Sequence, residues 1–152
     1  MYKGVMALIL QDRPLDFMTG SSMDIASYID EEADIHHIFP QAYCEKQGLP
    51  RNKWNSVINK SPIYATSNRS IGGHAPSIYI GTMANKGLDQ QMIRNAIVSH
   101  KVNYDYLASD DFDAYFIDRA KQLLDRIEKA TGKTITGRDS EETIREYGKA
   151  LI

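Results

Sequence analysis

Two adjacent imidazoles, His36 and His37, lie in the run Asp34-Ile35-His36-His37-Ile38-Phe39-Pro40, and two asparagines, Asn59 and Asn68, follow nine residues apart. These side chains comprise a base, donors for a hard cation and an orienting amide. Hydrolysis of a phosphodiester needs an activated water, charge relief on the phosphate and stabilisation of the leaving oxygen. Histidine, whose ordinary pKa lies close to neutrality, suits the first task. A divalent cation suits the other two. Mg²⁺ keeps several of its waters, so two side chains can be enough to hold it.

Each residue alone also has a plainer reading. A single buried histidine is usually a satisfied core residue, Asn68 could cap a helix, and Asn59 could serve a turn. The shared spacing is what joins them. One geometric tension accompanies it, because in a regular strand His36 and His37 face opposite sides. They can serve one site only if the strand ends or twists sharply there, which nearby Pro40 permits.

The elements that must position these residues can be read from periodicity and breakers. Tyr2 to Gln11 predicts a short buried helix, broken near Pro14. A turn-rich connector, Asp16 to Ser22, precedes a short helix over Met23 to Glu32. Asp34 to Phe39 reads as a strand ended by Pro40, with a second strand around Ile63 to Ala65. Thr66 or Ser67 would cap a helical turn carrying Asn68, and Gly72 would stop it. Downstream, helices are expected from Pro76 to Ala84 and from Asp89, with Met92, Ile93, Ala96 and Ile97 inward. A long helix runs from Asp111 to Ala130, where Phe112, Phe116, Ala120, Leu123 and Ile127 recur at helical spacing before Gly132. Asp139 and Glu142 form a capping pair for a last helix bearing Ile144, Tyr147 and Leu151. The fold class is α+β: a small hairpin site in a helical frame.

The 152 residues suit one ordinary domain, 1–152. The apolar runs are too short to span a bilayer, and no secretory signal opens the chain. The abrupt helical start suggests that Met1 lies inside a longer protein. A lone cysteine, Cys44, excludes an internal disulfide and a cysteine zinc ribbon, and points to reducing cytoplasm. Net charge is −2, yet from Lys46 to Leu88 there is no Asp or Glu, and Lys46, Arg51, Lys53, Lys60, Arg69 and Lys86 give that window +6. The remainder therefore carries −8. A basic segment around the candidate site, on an acidic scaffold, suits a phosphate-rich substrate approaching one face. Arg69, Lys60, Lys53 and His74 are the candidates for contact with its phosphates.

Asp34-x-His36-His37-Ile38-Phe39-Pro40-Gln41, Asn59 and Asn68 together resemble the HNH (His-Me finger, ββα-metal) endonuclease motif. The wider stretch through Asn59-Lys60-Ser61-Pro62-Ile63, Asn68-Arg69-Ser70-Ile71-Gly72-Gly73 and Ala75-Pro76-Ser77 is similar to the C-terminal HNH domain of GmrSD-type, modification-dependent restriction proteins. The resemblance implies a ββα-metal core and divalent-metal-dependent cleavage of DNA. It implies that His37 is the general base and that His36 and Asn68 are metal ligands, with His36 standing where many relatives have aspartate. Asn59 would orient His37 or pin the loop between the strands, and Asp34 would support His36 from behind. The cofactor is Mg²⁺ or Mn²⁺, with imidazole ligation favouring the latter. The resemblance further implies restriction of foreign or modified DNA, as in phage defence, and an N-terminal nucleotide-dependent domain outside this chain. Two other classes stay open: a nucleic-acid-binding module without turnover, and a helical interaction domain whose His/Asn set is structural.

Overall fold

The computed structural model describes residues 2–30 and 33–152. Its architecture is α+β and mostly helical, with one two-stranded antiparallel sheet. Helix α1 (Tyr2–Gln11) and α2 (Ile25–Ile29) precede strand β1 (Ala33–His37). Two short helices, α3 (Gln41–Lys46) and α4 (Arg51–Trp54), and a 3₁₀ turn at Val57–Asn59 lead to strand β2 (Lys60–Tyr64). Helix α5 (Ala65–Ile71) leaves β2 without a connecting loop. The frame is completed by α6 (Pro76–Asn85), α7 (Gln90–Val98), α8 (Tyr104–Ala108), α9 (Phe112–Thr131) and α10 (Glu141–Tyr147).

Several local rules explain these limits. Pro76 sits in the first turn of α6, where a missing N–H costs nothing. Asp89 and Asp111 cap α7 and α9 by accepting from Gln91 N and Ala114 N, and Gly132 ends α9 in the left-handed region. Ser140, not Asp139, caps α10, because its hydroxyl is the one that reaches Thr143 N. Tyr64 occupies the position before α5, and neither Thr66 nor Ser67 caps that helix. Ser67 is instead buried and donates its hydroxyl to Asp16, 2.6 Å away. Gly72 stops α5 with φ +59°, as its sequence position suggests. At the following Gly73 an added Cβ would come within 2.9 Å of Ala42, so glycine there lets the end of α5 lie against α3.

Other sequence expectations shift as well: strand β1 ends at His37, two residues before Phe39. Strand β2 begins three residues before Ile63, since Pro62 is tolerated opposite Ile35 in a sheet where both strands are edges. Met92 is 46% exposed, whereas Ile93, Ala96 and Ile97 are buried as expected. Ile144 is likewise exposed, while Leu151 is buried. The expected end of α2 at Glu31 and Glu32 lies outside the described residues.

Side chains from outside hold the hairpin in place. One face of β1 turns Ile35 into a cluster with Val5, Met6 and Ile9 of α1 and Leu123 of α9. The main core, containing Phe17, Ile63, Ile71, Tyr79 and Phe116, occupies the other side. Fully buried Asp16 accepts from Tyr64 N at 2.9 Å and from Met18 N, Thr19 N and Thr19 Oγ1, tying β2 and α5 to the connector. Buried His100 donates from Nε2 to the Leu15 carbonyl at 2.7 Å, which leaves Nδ1 to accept from the Ser61 hydroxyl at 2.6 Å. Arg119, with no exposed surface, donates to the carbonyls of Ile58, Lys60 and His100.

Burial pulls the His100 pKa down to about 4, with Arg119 adding to the effect and the Leu15 carbonyl opposing it. In the unfolded chain the group titrates at about 6.5. Above that pH it is neutral in both states and the folded form incurs no penalty. Between about 6.5 and 4 only the unfolded state takes up the proton, so stability falls as pH falls. The fall from this group should reach about 3 kcal/mol at pH 4 and then stop. Denaturant unfolding at pH 7, 5.5 and 4 checks this, and a stability flat across that window would contradict a buried neutral His100.

Candidate functional site

The regular ladder of β1 sends its two histidines to opposite faces. His37 pairs with Lys60 and His36 with Ser61 in the register. His37 is half-buried at the end of the strand. Its ring meets Trp54 edge-on, with centroids 5.5 Å apart and planes at 66°, and its Nε2 lies 3.0 Å from Asn55 Oδ1. Arg51 places its guanidinium 5.9 Å from the centroid of the same Trp54. Lys60 extends over the ring of Tyr2 at 5.3 Å.

His36 is only 2% exposed and meets Phe17 edge-on at 5.6 Å. Neither of its nitrogens has a hydrogen-bond partner among the described residues. Burial holds its pKa well below the ordinary imidazole range, and His100 and Arg119 add to this. It is therefore a neutral imidazole with an unshared lone pair, the form that ligates metal. Asn68 is half-buried on α5, a helix that packs on both strands and whose Ile71 shares the main core with Phe17. An imidazole and an amide oxygen are donor types that divalent cations accept, but His36 makes no hydrogen bond to Asn68 and is 2% exposed. Among the described residues no group of three or more His, Cys, Asp or Glu side chains is placed to hold one.

The other sequence candidates are distributed as follows. Asp34 is exposed and accepts from the next backbone N–H, Ile35 N, at 2.9 Å. It does not hydrogen-bond to His36, whose nitrogens stay unpartnered, so the expected support from behind is not made. Arg69 and His74 are exposed around the end of α5. Lys53 places its ammonium 5.9 Å from the Phe116 centroid, in a cleft lined also by Asp113, Arg145, Glu146 and Lys149.

Asn59 has no exposed surface and uses every hydrogen-bonding valence of its amide. Oδ1 accepts from Phe39 N and from the Tyr115 hydroxyl, both at 2.9 Å. Nδ2 donates to Phe39 O at 3.0 Å and to Trp54 O at 2.8 Å. Of the two roles open to it, pinning the loop between the strands is the one these bonds perform. The amide that meets His37 is Asn55, four residues earlier, which sequence reasoning missed. Arg51 was counted only as one of the charges in the basic window. No local signal marks either, because their relation to His37 exists only after β1 and β2 pair.

No protein-family model matches the chain, and no solved structure matches it. The chain is similar to the uncharacterized protein MJ0686 of Methanocaldococcus jannaschii, 30% identical over 148 residues. The match covers 83% of this chain and 25% of that protein, so the chain spans about a quarter of the length of the relative it matches. Among the described residues no helix is long and apolar enough to cross a membrane.

If Asn59 is the bolt of the loop, Asn59→Ala should cost about 3–5 kcal/mol, since four bonds are lost and buried partners are left unpaired. Tyr115→Phe, which removes the bond to Asn59 Oδ1, should cost about 1 kcal/mol. Chemical denaturation measures both. A cost below about 1 kcal/mol for Asn59→Ala would show that the loop holds itself.

Proposed function

We propose that this domain is a divalent-metal-dependent DNA endonuclease of the HNH type. The observation that carries the reading is the order β1, β2, α5, with a half-exposed His37 at the end of β1 and Asn68 on the helix packed against both strands. Supporting it are the cationic groups of Arg51 and Lys60 on elements next to His37, with Arg69 exposed on α5. In this reading His37 takes a proton from a water as the water oxygen bonds to phosphorus. The P–O bond to the 3′ oxygen breaks, and that oxygen gains a proton from solvent, giving 5′-phosphate and 3′-hydroxyl ends. Trp54 walls one side of the imidazole and limits its rotation. His36 and Asn68 are the residues that would hold Mg²⁺ or Mn²⁺. When bound, the cation supplies charge relief on the scissile phosphate and the departing oxygen. The biological setting we assign is cytoplasmic restriction of foreign or modified DNA, with an N-terminal nucleotide-dependent domain as partner.

One observation favours a second reading, a DNA-binding module without turnover. His36 is sealed from solvent on the face opposite His37, so the two cannot meet one phosphate unless the strand end moves.

Nicking of supercoiled plasmid with Mg²⁺, Mn²⁺ or EDTA separates the two. The nuclease reading expects metal-dependent nicking that His37→Ala lowers about 10²–10⁴-fold with folding unchanged. Binding that weakens steeply with salt, without nicking by either protein, would favour the binding module over turnover by this chain alone.

The same proposal predicts coupling between cation and DNA. Neither proposed ligand is a carboxylate, and the field of Arg119 reaches His36. Titration calorimetry should therefore show weak Mn²⁺ binding to the protein alone and binding at least tenfold tighter beside a short duplex. Equal affinities would remove His36 and Asn68 as the ligand pair.

A further inference from the structure

We propose that Asn55 is a positioning residue for His37, fixing the tautomer and ring orientation that leave Nδ1 as the basic nitrogen. This rests on the reading of His37 as the base. An amide oxygen only accepts hydrogen bonds, so with Asn55 Oδ1 at 3.0 Å, His37 Nε2 must carry the proton. The lone pair is then on Nδ1, the nitrogen that the Asn55 contact leaves open. A base whose second nitrogen is held by an acceptor is the arrangement that general-base histidines require.

The surroundings show why Asn55 can do this from an exposed position. Its backbone ends α4, with Asn55 N donating to Arg51 O at 2.9 Å. The preceding carbonyl, Trp54 O, is gripped by Asn59 Nδ2, and the same buried amide grips both backbone groups of Phe39, two residues after His37. One side chain thus anchors the segments carrying both members of the His37–Asn55 pair. The Trp54 ring restrains the imidazole from another direction. Among the described residues His37 makes no other side-chain hydrogen bond. Asn55 Oδ1 has no second partner there, and the α4 end is already satisfied by backbone.

The test uses the full chain with ¹⁵N-labelled histidine and long-range ¹H–¹⁵N correlation spectra at pH 8.5, with His37 assigned by loss of its signals in His37→Ala. The wild type should show the Nε2–H tautomer alone at His37. Asn55→Ala, checked for folding by its thermal melt, should show a tautomer mixture. Asn55→Asp keeps an acceptor oxygen and should restore the single form. In plasmid nicking, Asn55→Ala should lower kcat about 10- to 100-fold with KM little changed, and Asn55→Asp should recover most of it. An Nδ1–H tautomer in the wild type, or identical His37 spectra in wild type and Asn55→Ala, would overturn the proposal. The spectra need no turnover. If no protein nicks DNA while the tautomer shifts as expected, the hold of Asn55 on His37 stands and turnover by this chain alone fails.

Discussion

A two-stranded hairpin has two open edges and too little surface to hold itself together in water, and much of this molecule answers that constraint. The ladder joins only five residue pairs. Backbone groups beside it would be left without partners, so side chains from distant parts of the chain supply them. Asn59 takes both backbone groups of Phe39, Arg119 takes the carbonyls of Ile58 and Lys60, Asp16 takes the N–H of Tyr64, and the Tyr79 hydroxyl takes the carbonyl of Ile38. Helix α9 contributes both Tyr115 and Arg119 to this brace, one turn apart on its buried face. The long amphipathic helix therefore does more than cover a core. It supplies the hydrogen bonds that give the strand ends, where His37 lies, a defined geometry.

How far this was legible in the sequence follows from how local each signal is. Helix α9 could be read from Phe112, Phe116, Ala120 and Leu123 at helical spacing, between the cap Asp111 and the stop Gly132, because period and caps are properties of the chain itself. Helices α3 and α4 are six and four residues long, too short for a period to show. The start of β2 was hidden because Lys60-Ser61-Pro62 has neither the composition nor the alternation of a buried strand. It becomes one only by pairing with β1 and by the bond from Ser61 to His100. The site divides in the same way. His37 and Asn68 could be singled out by type and spacing, but the Asn55 contact depends on two segments meeting, and no pattern in one chain encodes that.

The two asparagines also show why residue type alone does not assign a role. Asn59 is an amide whose whole capacity is used inside the fold, so nothing is left with which to orient an imidazole. Asn55, four residues away and exposed, has an oxygen free for His37. Burial converts the first into structure and exposure leaves the second available. A buried, fully satisfied amide rigidifies its surroundings, and here the surroundings include both backbone segments that carry the exposed pair.

The electrostatics beneath the hairpin carry this further. Arg119 is buried, and the described residues give it no carboxylate partner; carbonyl oxygens take its place. Burying a cation this way is costly, and it is tolerated where the neighbouring titratable groups stay neutral. Both imidazoles near it do so, His36 and His100 being held well below the ordinary range by burial and by Arg119 itself. On the proposed reading that neutrality leaves His36 able to ligate a cation, and neither His36 nor Asn68 brings negative charge to it. A second cation brought to His36 and Asn68 would meet an interior already positive at Arg119. The buried carboxylate of Asp16 already accepts from Thr19, Tyr64 N and Ser67, so on the proposed reading a phosphodiester supplies the balancing anion. On the proposed reading, the absence of a carboxylate ligand makes the nucleic acid itself part of what stabilises the charged site.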